Sequence, residues 1–199
     1  MKKEILGPKF FDRSALVVAR ELIGKFLVRR VGGREVALMI TETEAYHGWQ
    51  DGASKARRGQ TPHNTPMFMH AGTIYVYFTY GMHWMLNLVC GKPGFPSAVL
   101  IRGLSFPNSQ EFRNEPVTTH SHTRVCECVV LNGPAKLTKY LKIDKKLNTL
   151  PLGKATGLWV EDRGVKIRPR DIKRSGRIGV DYSGVWATKP WRFVYKADE

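Results

Sequence analysis

The sequence predicts an α+β fold: a single domain with a curved antiparallel sheet built from hairpins, and with peripheral helices. Two pairs of strand-like segments are each joined by a tight glycine turn, at Gly32-Gly33 and at Tyr80-Gly81. Two segments with helical signals lie outside these hairpins, which predicts helices at the margins of the sheet. A length of 199 residues suits one domain with a proper core, so we predict a single domain over residues 1–199.

The first helix is predicted between Asp12, a candidate N-cap, and Gly24, a typical C-terminal stop. Apolar residues repeat at helical spacing between these two ends, at Leu16, Ala19, Leu22 and Ile23. A hairpin is predicted next, with Lys25–Val31 and Arg34–Thr43 as its two strands.

The second strand of this hairpin continues into two carboxylates. Strict alternation predicts that one face of the strand carries Val36, Leu38, Ile40, Glu42 and Glu44. A carboxylate at the end of a core-facing strand is poorly solvated, which raises its pKa and suits a general base, with Tyr46 beside it. The alternative is a pair of ordinary strand-end carboxylates that bind lysine or arginine, and alternation does not separate Glu42 from Glu44.

The segment Ile74–Asn87 is rich in aromatic residues. Alternation predicts a strand in which Tyr75, Tyr77 and Thr79 share one face, followed by a second strand over His83–Cys90. One interpretation is a hairpin whose aromatic side chains are buried in a core. The other is a stacking platform for nucleic-acid bases, which needs aromatic faces near cationic side chains.

The rest of the chain predicts further strands and one more helix. Strands are predicted at Ser97–Arg102 and Val125–Leu131, and a helix at Ala135–Leu141. Leu158–Ile167 predicts a hairpin around a turn at residues 162–164. Ile178–Tyr195 predicts a terminal strand pair that closes the core.

Two segments are predicted to be loops. Tyr46–Met69 is polar and basic, and its Arg57, Arg58 and His63 either face phosphates or are solvated surface charge. Ser105–Arg124 is predicted to be irregular.

The net charge of the chain indicates what kind of partner it binds. Lysine and arginine number 32 against 17 acidic residues, which gives a net charge of +15 and predicts a polyanionic partner. Nucleic acid is favoured over a membrane surface, because the sequence shows neither a long amphipathic basic helix nor an apolar run of spanning length. Three cysteines are too few for a disulfide framework, so we expect a reducing compartment and no secretion.

Several motifs occur together in a specific order. They are ETEAY at Glu42–Tyr46, TPxNxxMFMxxGTxYVYxxYGM from Thr61 to Met82, Asn87, VLIR at Val99–Arg102, NGPAKL at Asn132–Leu137, RIGV at Arg177–Val180 and WATKPWRF at Trp186–Phe193. This set resembles the alkyladenine (3-methyladenine) DNA glycosylase family over most of the chain.

The resemblance implies base excision repair of double-stranded DNA. Family members flip an alkylated or deaminated purine, such as 3-methyladenine or hypoxanthine, out of the duplex and hydrolyse its N-glycosidic bond without a cofactor. By position, Tyr80 is the wedge that intercalates in the DNA, and Tyr46 and Tyr77 hold the flipped base. Glu44 matches the general base that activates water, and Arg102 matches an arginine beside that water.

The resemblance also implies a role for Asn87. Asn87 matches a residue that lines the base pocket and helps to reject guanine. We expect a monomer, with no membrane partner, in the nucleoid of the cytoplasm if the source is prokaryotic and in the nucleus otherwise.

Lys55 departs from the family, which usually has a pocket histidine at this position. Lysine has no aromatic face and carries a charge, so we expect it to disfavour cationic bases such as 7-methylguanine and to tolerate neutral ones such as hypoxanthine. A second hypothesis is that Lys55 forms a Schiff base with the abasic sugar, which requires an amine of lowered pKa.

A second departure is a cluster of metal-competent side chains, which consists of His120, His122, Cys126 and Cys128. Its spacing differs from that of structural zinc sites, and we predict no metal there.

Two other functions remain open from the sequence. One is a damaged-DNA-binding protein that has lost turnover because of Lys55. The other is a basic RNA-binding domain whose tyrosines stack single-stranded bases. Glu44 and Arg102 favour the enzyme, because a desolvated carboxylate repels phosphate and is of little use to a protein that only binds.

Overall fold

The computed structural model describes residues 3–106 and 130–196. The described strands are β1 (Glu4–Ile5), β2 (Phe26–Val31), β3 (Arg34–His47), β4 (Ile74–Thr79), β5 (His83–Val89), β6 (Ser97–Ser105), β7 (Val130–Asn132), β8 (Leu158–Asp162), β9 (Ile172–Ser175) and β10 (Arg192–Tyr195). The α-helices of the same part of the chain are α1 (Pro8–Phe11), α2 (Ala15–Leu22) and α3 (Pro134–Tyr140). Short 3-10 helices lie at Thr65–Phe68, Lys145–Leu147, Pro169–Asp171 and Asp181–Trp186.

The described strands form one open sheet. Seven of them follow the order β1-β8-β2-β3-β6-β5-β4, while β7 pairs with β6 and β10 pairs with both β3 and β9. Every pairing is antiparallel. This arrangement confirms the predicted α+β class and the antiparallel sheet. No helix in the described ranges is long and apolar enough to cross a membrane.

The long helix near the N-terminus packs on one face of the sheet. Its buried positions are Ala15, Val18, Ala19 and Leu22, and Gly24 follows its end with a φ of 84°, as predicted. The predicted N-cap Asp12 is wrong. Residues 8–11 form the separate helix α1, which Asp12 ends by donating its backbone N–H to the carbonyl of Pro8, so that Ser14 is the N-cap of α2.

The predicted face of β3 is wrong beyond Ile40. Leu38 and Ile40 lie in the main hydrophobic core, but the register with β6 shifts on both sides of Glu42, so that Thr41 is an extra residue in β3. Ala45 consequently returns to the core face, where it is fully buried. Because a β-bulge of one residue reverses the alternation, Glu42 and Glu44 point away from the core that Ile40 enters.

The second shift of this register lies in β6, where Arg102 is the extra residue. The bulge brings the two strands close together at Gly103. A Cβ atom on this residue would lie 2.8 Å from Cβ of Glu42 and 2.9 Å from Oγ1 of Thr41, which leaves room only for glycine. The glycine therefore permits the bulge that turns Glu42 and Glu44 to the other face.

The aromatic hairpin forms as predicted, except that β5 ends at Val89 rather than Cys90. Tyr80 and Gly81 make the turn with φ values of 51° and 66°. Such left-handed conformations at both turn residues match the twist of the two strands. Tyr75 lies opposite Asn87 in the register, so that both side chains face the same side of the sheet.

Four other predictions have different outcomes. The helix near residue 135 is confirmed as α3, and β6 extends the predicted strand Ser97–Arg102 to Ser105. The predicted hairpin Leu158–Ile167 is wrong, because β1 and β2 occupy both edges of β8 and leave no edge for a returning strand. The terminal strand pair exists, but the partner of β10 is β9, which lies before Ile178.

The other predicted segments lie largely outside the described residues. The strand at Val125–Leu131 is described only from Val130, where β7 begins, and the loop at Ser105–Arg124 only for its first two residues.

Candidate active site

One cavity opens where the bulged end of β3 meets the aromatic hairpin. Its volume is about 480 Å³, which falls in the range of about 300–1,000 Å³ that is typical of small-molecule sites. The side chains that line it include every predicted site residue except Glu44, namely Tyr46, Lys55, Tyr77, Tyr80, Asn87 and Arg102. Residues 178, 179 and 182 close the cavity from the C-terminal part of the chain.

Glu44 lies directly behind the wall of this cavity and is fully buried. Its Oε1 accepts a hydrogen bond of 2.8 Å from the backbone N–H of Ile178, and its Oε2 accepts one of 2.8 Å from the hydroxyl of Tyr46. Nε of Arg102 lies 3.4 Å from Oε1. All three neighbours line the cavity, so the carboxylate lies within one side chain of its interior.

The surroundings of Glu44 act on its pKa in opposite directions. Burial raises the pKa of the carboxyl and is the largest effect, while Arg102, the N–H of Ile178 and the hydroxyl of Tyr46 lower it. The net pKa is raised above the ordinary value, because desolvation disfavours the charged form. A carboxylate with these properties is suited to accept a proton from a nearby water molecule.

Glu42 organises two arginines next to this carboxylate. Its Oε1 lies 2.9 Å from Nε of Arg102 and 2.6 Å from Nε of Arg192, and its side chain is buried. The structure thus distinguishes the two acidic residues, which alternation could not do. Glu42 is held in ion pairs, and Glu44 adjoins the cavity.

The aromatic walls of the cavity come from three tyrosines. The ring centroids of Tyr75 and Tyr77 are 5.3 Å apart, and Tyr46 lies on the neighbouring strand β3. Arg177 packs against the ring of Tyr46. Its guanidinium carbon lies 4.8 Å from the ring centroid of Tyr46 and 5.0 Å from the ring centroid of Trp191. Tyr75 is buried, whereas the rings of Tyr46 and Tyr77 are only partly buried and can stack on a planar ligand.

Arg177 is fixed by a buried ion pair with Asp51. Its two terminal nitrogens lie 2.6 and 2.7 Å from the two carboxylate oxygens, and both side chains are fully buried. Arg177 also donates to the backbone carbonyls of Ala45 and Trp186. The pair connects the predicted loop Tyr46–Met69 to the C-terminal segment, so this loop is partly interior instead of lying over the surface.

Lys55 lies at the rim of the cavity. Its ammonium nitrogen is 4.5 Å from the ring centroid of Tyr77, a cation–π contact. Burial lowers the pKa of Lys55, and the nearby charge of Arg57 lowers it further. Lys55 thus places a positive charge beside the aromatic face on which a ligand would stack.

Tyr80 is the most prominent side chain at the edge of the cavity. It lies at the tip of the hairpin and is 80% exposed, and its neighbour Met82 is 66% exposed. Arg57, Arg58 and His63 are exposed as well. Arg57 contacts the ring of Tyr182 at the cavity wall, with its guanidinium carbon 4.9 Å from the ring centroid.

Asn87 is buried on the floor of the cavity. Its amide nitrogen lies 3.3 Å from the backbone carbonyls of Tyr75 and of Met85. These contacts hold the side chain across the hairpin through its amide nitrogen, and the amide oxygen takes no part in them.

Part of the site was not predicted from the sequence, and most of this part comes from the C-terminal segment. Asp51, the N–H of Ile178, Tyr182 and the ion pair of Arg192 carry no local pattern that predicts a role. The motif RIGV at Arg177–Val180 was the available signal, because its first two residues supply the guanidinium behind Tyr46 and the amide bonded to Glu44.

The metal-competent cluster at residues 120–128 lies outside the described residues. Within the described ranges, no group of three or more histidine, cysteine or acidic side chains is arranged to hold a metal ion.

Removing the Tyr46 hydroxyl is expected to shift the pH dependence of a reaction in which Glu44 is the general base. Tyr46→Phe keeps the ring but deletes a hydrogen bond that lowers the pKa of Glu44, so this pKa rises. Since the base works in its deprotonated form, the acidic limb of the single-turnover rate profile should move to higher pH. Tyr77→Phe removes a hydroxyl from the same cavity but leaves the bond to Glu44, and it should not move the limb. Equal profiles for Tyr46→Phe and the parent protein would contradict the role of this hydrogen bond.

Comparisons with known proteins show to which family the chain belongs. Residues 9–199 match the family model of methylpurine-DNA glycosylase. The chain is 41% identical over 194 residues to the "Putative 3-methyladenine DNA glycosylase" of Methanocella arvoryzae, which covers 96% of this chain and 92% of that protein. It is 37% identical to the DNA-3-methyladenine glycosylase of Mus musculus, covering 94% of this chain and 58% of that protein. For the protein of the same name from Homo sapiens the identity is 37%, with 96% of this chain and 65% of that protein covered.

A match over residues 9–199 and an identity of 41% over nearly all of the chain are decisive. The chain belongs to the methylpurine-DNA glycosylase family.

Proposed function

We propose that this protein is a monofunctional DNA glycosylase that removes damaged purines from double-stranded DNA in base excision repair. The observation that carries the proposal is the buried carboxylate of Glu44 with Arg102 beside it, at the wall of a cavity lined by tyrosines, in a chain of this family. Neither the family nor the named relatives support the two alternatives, a protein that only binds damaged DNA and an RNA-binding domain.

Recognition begins with extrusion of the damaged nucleotide. Extrusion costs a few kcal/mol of stacking and pairing. Tyr80, exposed at the hairpin tip, fills the space that the nucleotide leaves in the duplex. Stacking of the base between Tyr46 and Tyr77 returns about 1–3 kcal/mol per base, which offsets much of that cost. Asn87 on the cavity floor contacts the base edge and disfavours guanine.

Hydrolysis then separates the base from the sugar. Glu44 accepts a proton from a water molecule whose oxygen attacks C1′ of the sugar, and Arg102 helps to hold that water. The bond between C1′ and the purine nitrogen breaks, and its electron pair leaves with the base. A neutral base such as hypoxanthine leaves as an anion and takes up, by way of solvent, the proton that Glu44 received. The products are a free purine and an abasic site, and the reaction requires no cofactor.

A panel of duplexes, each with one lesion, tests this function. Incubation with the protein should produce free base and an abasic strand that breaks only after alkali, for at least one alkylated or deaminated purine. Strand breakage without alkali would contradict water attack and favour a Schiff base at Lys55. A protein that excises no lesion and prefers single-stranded RNA would contradict the glycosylase itself.

Lys55 is expected to favour neutral lesions over cationic ones. A lysine charge close to the stacking position repels a cationic base such as 7-methylguanine. We expect this repulsion to change the ratio of hypoxanthine excision to 7-methylguanine excision by about tenfold. Lys55→His should therefore lower the ratio of hypoxanthine excision to 7-methylguanine excision, measured under single-turnover conditions. An unchanged ratio would show that the charge does not set the substrate range.

We further infer that residues 1–199 form one domain that acts as a monomer, in the nucleoid of a prokaryotic cell or the nucleus of a eukaryotic one, where its substrate lies. Light scattering tests whether the protein is a monomer, because it gives the mass of the free protein and of its complex with one duplex.

A further inference from the structure

Tyr75 carries a polar group in apolar surroundings. The residue is 1% exposed, and it belongs to a small hydrophobic cluster with Met67, Phe68 and Ala98. Its hydroxyl is buried and has no hydrogen-bond partner among the residues that the structure describes. Most buried tyrosine hydroxyls have a partner, so this one requires an explanation.

Folding alone does not explain the hydroxyl. A buried polar group without a partner costs free energy, whereas phenylalanine would fill nearly the same space without that cost. The hydroxyl is therefore expected to reduce the stability of the free protein, and its benefit must come in another state of the molecule.

The position of Tyr75 indicates what that state is. The side chain lines the cavity, on the same face of the hairpin as Asn87 and Tyr77. Its ring centroid lies 5.3 Å from that of Tyr77, the ring on which the base is proposed to stack. Burial raises the pKa of the Tyr75 phenol, so the group keeps its proton at neutral pH and can donate it in a hydrogen bond.

We propose that the Tyr75 hydroxyl determines specificity by donating a hydrogen bond to an acceptor atom on the edge of the flipped purine. The inference rests on the proposed function. The substrate class that it favours is a neutral damaged purine with an acceptor nitrogen or oxygen on the edge that enters the cavity first, and hypoxanthine is the probe of that class.

Binding by two otherwise identical proteins tests this role. Both carry Glu44→Gln to prevent turnover, and one also carries Tyr75→Phe. Affinity is measured for a duplex with one hypoxanthine, for the same duplex with a stable abasic analogue, and for the undamaged duplex. Urea unfolding of both proteins reports stability.

Tyr75→Phe should weaken binding of the hypoxanthine duplex by about tenfold, the effect of one hydrogen bond, and leave binding of the abasic duplex unchanged. It should not lower the stability of the free protein. Equal loss on both duplexes, a loss of stability, or no loss on the hypoxanthine duplex would each overturn the role of the hydroxyl. If the protein with Glu44→Gln alone does not prefer hypoxanthine to undamaged DNA, the proposed function fails for this lesion and the inference fails with it.

Discussion

Glu44→Gln is expected to lower the rate of purine excision by about 10²–10⁴-fold, the usual contribution of one positioned general base. The amide has nearly the same shape and can still accept the hydrogen bond from the N–H of Ile178, but it cannot take a proton from water. Affinity for a lesion-bearing duplex should stay equal or increase, because a negative charge that faces a polyanion is removed. Single-turnover excision and equilibrium binding of the same duplex give the two quantities.

A second buried carboxylate on the same sheet provides the control. Glu161 is 5% exposed, accepts from Nε1 of Trp159 and Nε of Arg163, and does not line the cavity. Glu161→Gln should leave the excision rate of the folded protein unchanged. If Glu44→Gln keeps the full rate, the carboxylate is not the base. If the parent protein and the variant both bind the lesion and neither excises it, the protein only binds damage.

Asp51→Asn is expected to lower the free energy of unfolding by about 3–5 kcal/mol, the usual cost of removing one partner from a buried ion pair. In the intact protein, both terminal nitrogens of Arg177 bond the carboxylate of Asp51. The change leaves the buried positive charge of this guanidinium without its counter-charge. Since Arg177 packs behind Tyr46, the excision rate should fall as well. Chemical denaturation gives the loss of stability.

An exposed ion pair is the matched control for this substitution. Glu35 lies 2.7 Å from Arg30, with both side chains more than 40% exposed. Exposed pairs contribute about 0–1 kcal/mol, so Glu35→Gln should be nearly neutral. A loss below about 1 kcal/mol for Asp51→Asn would show that water reaches this pair and that it does not fix the cavity wall.

The sequence was sufficient for the elements with local signals. The glycine turns predicted both hairpins, and the resemblance brought together Glu44, Tyr46, Tyr77 and Arg102, all of which the structure places at one cavity. The roles assigned to these residues stay predictions.

The errors have two physical causes. A period of two cannot reveal a bulge, so alternation put Glu44 on the face of Ile40, whereas the extra residue Thr41 places it on the other. Long-range contacts leave no local pattern either. Asp51 bonds Arg177 over 126 positions, and Glu44 bonds Ile178 over 134. The motif RIGV marks this segment in the sequence, but its contacts with Asp51 and Glu44 became visible only in three dimensions.

The structure of the Glu44→Gln protein bound to a duplex with one hypoxanthine tests the central claim most directly. We expect the purine to lie in the cavity between the rings of Tyr46 and Tyr77, with Tyr80 in the place it left and C1′ of its sugar facing residue 44. A complex in which the damaged base stays stacked in the duplex, or in which the cavity holds no base, would contradict the account.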